Sequence, residues 1–396
     1  ILYGQRPCHC KTMQLGSQLS KHTLASRTAA PTRTKQALPA PRLLPLHPNS
    51  STQKRRESLT RMNALGALEP FVVPLCGGLA IGTLSLGKLA LSGKVLGISG
   101  AVKGLVVGDR ALWRYSFIAG LIAGGFALVN YFPSAFDPAS TLAALPLSRI
   151  ITAGFLVGSG TFLGNGCTSG HGICGNARFS LRSLTATLTF MAFGAAAGGL
   201  FHTAALQGVQ PGLIIPPPPS TSAVTFATSV LGSSLALVSG LALMAKNIRA
   251  TWLELAADFG TGVLFALGLG AAGMTMPTKV SSFLGVFAGT FDPSLAFVMG
   301  GALLVATPGY QLIMRTKVLP HPLLATASTF NLPTSKTIDW KLLGGAALFG
   351  TGWGLAGLCP GPALVSVATL QVPSIVFVAS LVAGMVVAQK VEQLAG

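Results

Sequence analysis

The residues best suited to chemistry lie in one glycine-rich run, Gly164–Gly175, in which Cys167, Ser169, His171 and Cys174 alternate with Gly166, Gly170 and Gly172. A second cluster, Cys359-Pro360-Gly361-Pro362, follows 192 residues after Cys167. Thiols are weak donors and polarizable acceptors, and suit a sulphur-bearing ligand better than a hard phosphate. Pro362 fits the first position of a helix, which would put Cys359 just before a helix N-terminus. Ser180 can cap the helix after the first run, with Cys174 and His171 a turn or two before it. Two such N-termini facing each other would offer free N–H groups and positive dipole ends to an anion, and glycine lets the ligand approach the backbone. The candidate path residues are Cys167, Cys359, Cys174, His171, Gly166, Ser169, Gly170, Pro360 and Gly361.

Other chemistries fit less well. Cys167, His171, Cys174 and Cys359 are numerous enough for a soft metal, but C-x3-H-x2-C is not a common zinc spacing. A membrane metal or thiol-redox protein using this Cys/His set is the alternative function; no metal ligand and no cofactor is assigned. Gly158-x-Gly160-x3-Gly164 lacks dinucleotide spacing and no Walker motif occurs. Only Cys174 and His171 offer a nucleophile–base pair, so an enzyme is not expected. Cys8 and Cys10, flanking His9, lack further ligands nearby.

The elements that must hold these residues are membrane helices. Half of the 396 residues are hydrophobic and 9% are charged, against roughly 25% charged in soluble domains. The apolar runs are long, with no period-two alternation, which excludes a membrane barrel. About 20 residues cross a bilayer core. Spans are predicted at about 66–90, 112–131, 148–164, 181–204, 222–245, 252–274, 293–314, 339–357 and 372–390, with a loop over 92–110 and a short interfacial or re-entrant piece at 140–147. Irregular backbone at membrane depth is tolerated only where protein buries it or it lines a cavity, which marks both cysteine clusters as the working site.

Of the net charge of +18, residues 1–62 hold +10 and the remainder +8. The excess lies in a tail and in short loops, where topology signals belong, so nucleic acid is not expected as a partner. Residues 1–62 read as a disordered basic tail or targeting segment. The first residue is Ile1, which suggests that sequence precedes it, and Met62 could itself be a start. The basic tail favours a cytosolic or matrix N-terminus, and the target membrane, plasma or organelle inner, stays open.

The chain divides into a first repeat at 63–206, a Pro-rich linker at 207–221 and a second repeat at 222–396. One offset of 192 aligns Gly158 with Gly350, Gly160 with Gly352 and Cys167 with Cys359; Phe136-Asp137-Pro138 recurs as Phe291-Asp292-Pro293, and Lys94 matches Lys279. Internal repeats with broken helices point to a transporter site near the midplane. The fold class is therefore all-α, a polytopic transmembrane bundle of two repeats, expected to be inverted, with broken or re-entrant helices at the centre. Lys94 and Lys279 are candidate charges at the mouths, or membrane-edge anchors.

The motifs G-C-T-S-G-H-G-I-C-G at 166–175, G-M-T-M-P-T-K-V at 273–280, F-D-P-S-L-A-F-V-M-G-G-A-L at 291–303 and G-W-G-L-A-G-L-C-P-G-P-A-L at 352–364 resemble the sulphur-transport family of bacterial membrane proteins (YeeE/YedE-like). The resemblance covers roughly residues 64–396, and the chain is similar to a fusion of two half-proteins. It implies transport of a sulphur species such as thiosulfate, passed between cysteines, with Cys167 and Cys359 as the facing pair. Thiosulfate-type relatives carry a further cysteine after the first helix, whereas Leu86–Leu91 holds none and Cys76 lies earlier, so a persulfide or another sulphur anion fits as well. The implied partners are the lipid bilayer and a small sulphur-containing anion. A homo-oligomer, or a soluble sulphur carrier served by a chain that only hands sulphur on, also stays open.

Overall fold

The computed structural model describes residues 66, 68–245, 251–316, 318–324 and 329–395; the tail at 1–62, with Cys8, His9 and Cys10, lies outside them. Its helices are α1 (Val72–Ser92), α2 (Ile98–Val106), α3 (Leu112–Tyr131), α4 (Ala139–Ala143), α5 (Leu147–Leu163), a π-helix (Thr168–Gly175), α6 (Leu181–Leu200), α7 (Thr203–Leu206), α8 (Thr221–Met244), α9 (Thr251–Ala271), α10 (Pro277–Leu284), α11 (Ser294–Arg315), α12 (Trp340–Ala356), α13 (Pro360–Ser366) and α14 (Val372–Ala395). Among the described residues seven helices are long and apolar enough to cross a membrane alone, and two bent helix pairs raise the number to nine. A helix stands at each of the nine predicted spans, each start within a few residues of its expected place, and those at 148–164 and 339–357 reach span length only with their bent partners.

The differences are local. The expected loop over 92–110 contains α2. The piece at 140–147 is α4, turned through 118° relative to α5. The linker does more than space the halves: Gly212–Leu213 (β1) pairs in parallel with Thr290–Phe291 (β2). Phe136-Asp137-Pro138 precedes α4 and α5, whereas Phe291-Asp292-Pro293 precedes α11, so the two triplets stand before different kinds of helix. Asp137 accepts from the N–H and hydroxyl of Thr278, while Asp292 accepts from the N–H of Ser294.

The dominant helix pairs are α3 with α9, α5 with α14, α6 with α12, α1 with α11, and α5 with α12. All five join helices from opposite sides of the linker; four run parallel, and α5 with α12 antiparallel. A Cβ added at Gly78 or Gly82 would fall 2.2 or 2.4 Å from the carbonyls of Val298 or Ala302; at Gly154 or Gly158, 2.5 or 1.9 Å from those of Phe377 or Leu381. In lipid, association draws on close packing rather than on burial from water. G-x3-G pairs (78/82, 120/124, 154/158, 160/164, 194/198 and 350/354) remove the side chain where backbones meet. Cross-helix hydrogen bonds such as Ser159 to the Gly384 carbonyl at 3.0 Å add roughly 0.6 kcal/mol each.

Candidate functional site

α5 and α12 have 17 residues each, about 25 Å at 1.5 Å per residue. That falls short of the ~30 Å hydrocarbon core, so each needs a continuation. Local sequence decides where it breaks. Gly357 sits in the left-handed region at φ 73 and ends α12, as glycine does at helix C-termini. Cys359 is extended, at φ −111 and ψ 169, and Pro360 opens α13, where its missing N–H costs nothing. In the first half Asn165 takes φ 58, and Cys167 is extended at φ −126 and ψ −164, immediately before the π-helix. Both cysteines thus occupy the residue before a new helix, and no side chain caps either one. In α13 Pro360 and Pro362 carry no N–H and the Ala363 N–H bonds the Cys359 carbonyl, which leaves Gly361 as its first-turn donor; the π-helix leaves those of Thr168, Ser169 and Gly170 without a carbonyl of its own.

The two breaks meet. Cys167 and Cys359 line one cavity of ≈ 20 Å³, together with Thr168, Ser169, Gly361 and Pro362 and apolar side chains such as Ile81, Phe265 and Met299. That is room for about one water; an anion can pass only if the walls move. Both thiols are buried, at 2% and 4% exposure. Cys167 Sγ lies 3.3 Å from the Ser169 hydroxyl, and the Thr168 hydroxyl donates to Cys359 Sγ at 3.8 Å. Pro360 is buried next to Cys359 without lining the cavity.

Gly166, Gly170 and His171 line a second cavity, of ≈ 150 Å³. Arg178, Arg182, Ser180 and Ser183 line it, and Pro333 and Ser335 close over it. Arg178 donates to the carbonyls of Cys174 at 3.2 Å and Pro333 at 3.0 Å; Arg182 donates to the Thr337 carbonyl and lies 3.7 Å from Asp339. His171 is an orienting clamp. Its Nε2 is 3.0 Å from the Gly164 carbonyl, which can only accept, so Nε2 donates and Nδ1 is left to accept from the Ser183 hydroxyl at 3.1 Å. Ser180 caps α6 as expected, accepting from the Ser183 N–H. Cys174 lines neither cavity and donates to the Leu96 carbonyl at 3.2 Å.

A third cavity, of ≈ 520 Å³, opens among Lys279, Thr278, Asp292, Pro216 and Phe226. Lys279 lines this cavity. Lys94 lines none of the three; its ammonium pairs with Glu254 at 2.8 Å. Cys76 is half-buried on α1 and lines none of them either.

Two cations escaped the sequence reading. Lys103 on α2 donates to the Phe162 carbonyl at 2.9 Å and the Asn165 side chain at 3.1 Å. Arg149 donates to the Leu355 carbonyl at 2.9 Å, the Phe201 carbonyl at 3.1 Å and the Thr203 hydroxyl. Each holds the C-terminal carbonyls of one broken helix, where cations are favoured. Burial pushes the Lys103 ammonium below its ordinary pKa. No sequence spacing announces either contact, since Arg149 and Leu355 are 206 residues apart.

Comparison with known proteins bears on the same segments. A family model described as "Sulphur transport" matches residues 24–197, beginning inside the tail, and one described as "Family of unknown function (DUF6691)" matches residues 253–396. A probable transporter of Xylella fastidiosa strain 9a5c is 45% identical over 139 residues, 35% of this chain and 92% of that protein. A probable transporter of strain Temecula1 is 42% identical over 136 residues, 34% of this chain and 94% of that protein. Relatives covered almost completely by a third of this chain have about the size of one of its halves.

Proposed function

Because the chain belongs to the sulphur transport family of multi-pass membrane proteins, we propose that it moves a sulphur-containing anion, thiosulfate or a related persulfide, along a path whose narrowest point is the Cys167–Cys359 cavity. The observation that carries this reading is that the thiols at both helix breaks line one cavity. The anion is drawn by Arg178 and Arg182 into the ≈ 150 Å³ vestibule, since a cleft lined by one sign of charge concentrates the opposite ion. It then meets the thiols of both breaks and the first-turn N–H groups of the π-helix, where S–H···S contacts replace its water. It leaves toward Lys279.

Inverted repeats account for the helix pairing. Exchanging α1 with α9, α3 with α11, α5 with α12 and α6 with α14 turns α3·α9 into α11·α1, and α5·α14 into α12·α6. Exchanged partners also run antiparallel. Gly77 and Ile81 of α1 meet Ala272 and Gly268, while Gly160 of α5 meets Phe349 and Gly352 of α12 meets Ala153. Both features are what a two-fold axis in the membrane plane produces.

The metal or redox reading is less well supported. Among the described residues no three His, Cys, Asp or Glu side chains gather into a metal-binding group. His171 uses both nitrogens elsewhere and Cys174 turns to Leu96.

The test is uptake of radiolabelled thiosulfate by proteoliposomes holding the purified chain. Wild type should accumulate label, and Cys167→Ser and Cys359→Ser should each abolish most of it. Wild-type inactivity toward thiosulfate, sulfite and persulfides alike refutes the reading. Entry of a dianion against a negative interior costs about 4.6 kcal/mol per 100 mV, so accumulation needs a compensating cation.

A further inference from the structure

We propose that Asp258, ion-paired with Lys88 and reached through Glu254, is the proton-carrying site that couples anion movement to a proton gradient. The proposal rests on the transport reading above. Lys88 and Asp258 face each other from α1 and α9, with side chains 3% and 1% exposed. Among the described ion pairs this is the only one with both partners buried. Ionisable groups inside spans are expensive and mark function by default. The same two helices supply Ile81 and Phe265 to the thiol cavity. Each lies seven residues from the ion pair, two turns or roughly 10 Å along the axis.

One feature separates this pair from a purely structural one. Lys88 takes Oδ1 of Asp258, while Oδ2 is buried with no hydrogen-bond partner. A buried pair is stabilising only when its remaining lone pairs are satisfied; here one oxygen stays open to a proton. Glu254 stands one turn earlier on α9, on the same face, and pairs with Lys94 at 2.8 Å where side chains are 14% and 30% exposed. Exposure falls from 14% at Glu254 to 1% at Asp258.

A further acid nearby, the exposed Asp109, is held in an ion pair with Arg114. From α3, the Trp113 ring lies 4.9 Å from the Lys88 ammonium and 5.4 Å from that of Lys94, with the Arg114 guanidinium also on it. Helix α8 carries no ionisable residue. From α11 comes the Tyr310 hydroxyl, donating to the Ser85 carbonyl. The segment bearing His321 crosses the end of α1, where the N–H groups of Leu323 and Leu324 donate to Ala90 and Leu91.

The step is a proton transfer alone. Asp258 carboxylate takes one proton arriving through Glu254 and becomes the neutral acid. Lys88 is left with an uncompensated positive charge, which favours an anion in the neighbouring path. When the anion has left, Asp258 gives up the proton and the ion pair re-forms.

The test uses the full chain in proteoliposomes with thiosulfate as probe, reading counterflow exchange without a gradient and net accumulation with the outside acidified and the potential clamped. Wild type should exchange label, and its accumulation ratio should rise about tenfold per pH unit for one proton per anion. Asp258→Asn should keep exchange and lose the response. Since that variant strands Lys88 and can misfold, the double variant Lys88→Gln/Asp258→Asn, which removes both charges, must give the same result. Intact exchange in that variant shows that it is folded. Wild-type exchange with no response to pH, or a double variant that responds as wild type does, overturns the proposal. Absence of wild-type exchange refutes the transport reading itself, and this proposal with it.

Discussion

The contact between the two broken helices can be tested with one methyl group. A Cβ at Gly160 of α5 would lie 2.2 Å from the Phe349 N and 2.6 Å from the Gly345 carbonyl of α12. Ordinary contact begins at 3.4 Å, so Gly160→Ala requires the helices to separate locally by about 1.2 Å. Both obstacles are backbone and cannot swing aside. Overpacking of this kind costs about 1–3 kcal/mol, and a gap of 0.5–1 Å already forfeits a quarter to a half of each lost dispersion contact. Alanine's better helix propensity returns up to about 1 kcal/mol. The control is therefore Gly240→Ala in α8, where nothing lies within 4 Å; it gains the propensity without the clash. The propensity gain cancels between the two variants, so their difference should be the overpacking cost itself, about 1–3 kcal/mol. The assay is thermal unfolding in detergent followed by a thiol-reactive fluorophore, with the buried Cys167, Cys174 and Cys359 as internal reporters. Gly160→Ala should expose them at a lower temperature than wild type, and Gly240→Ala should not. Because α5 and α12 carry the two cysteines, thiosulfate flux should fall as well. Coincident unfolding of the two variants would refute the close α5–α12 approach on which the site depends.

Other expectations follow from the same geometry. Arg178→Gln with Arg182→Gln should raise the half-saturating thiosulfate concentration more than it lowers the maximal rate, and should flatten the dependence on ionic strength, because the arginines act on approach. His171→Phe leaves the Gly164 carbonyl without its donor, so a loss of about 1–3 kcal/mol is expected in the same unfolding assay; unchanged unfolding would dismiss the clamp. Arg149→Met removes the donor to three acceptors near the end of α12, and should cost a similar amount while leaving the thiols chemically intact. Cavity size predicts thiol reactivity: a bulky charged methanethiosulfonate should label Cys167 and Cys359 slowly in the folded protein, because their cavity holds ≈ 20 Å³. Rapid labelling would mean that the path is open at rest.

The sequence by itself determined the class, the spans and the breaks, because hydropathy and helix termination are local properties. Twenty apolar residues specify a crossing whatever lies beside them. Asn165, Gly357 and Pro360 end or begin helices through their own backbone preferences, and the 192-residue offset singled out Cys167 and Cys359. Tertiary structure alone decided which side chains converge. The π-helix sends Cys167 to the shared cavity and Cys174 away from it, though both lie in one motif. Lys94, matched to Lys279 in sequence, pairs with Glu254, while Arg178 and Arg182 line the vestibule. Lys88 and Asp258, 170 residues apart, form a buried ion pair that nothing in their neighbourhoods announces. Pairings of this kind depend on which helices pack across the linker, and that is set by where G-x3-G faces let backbones approach, a property of two surfaces together rather than of either alone.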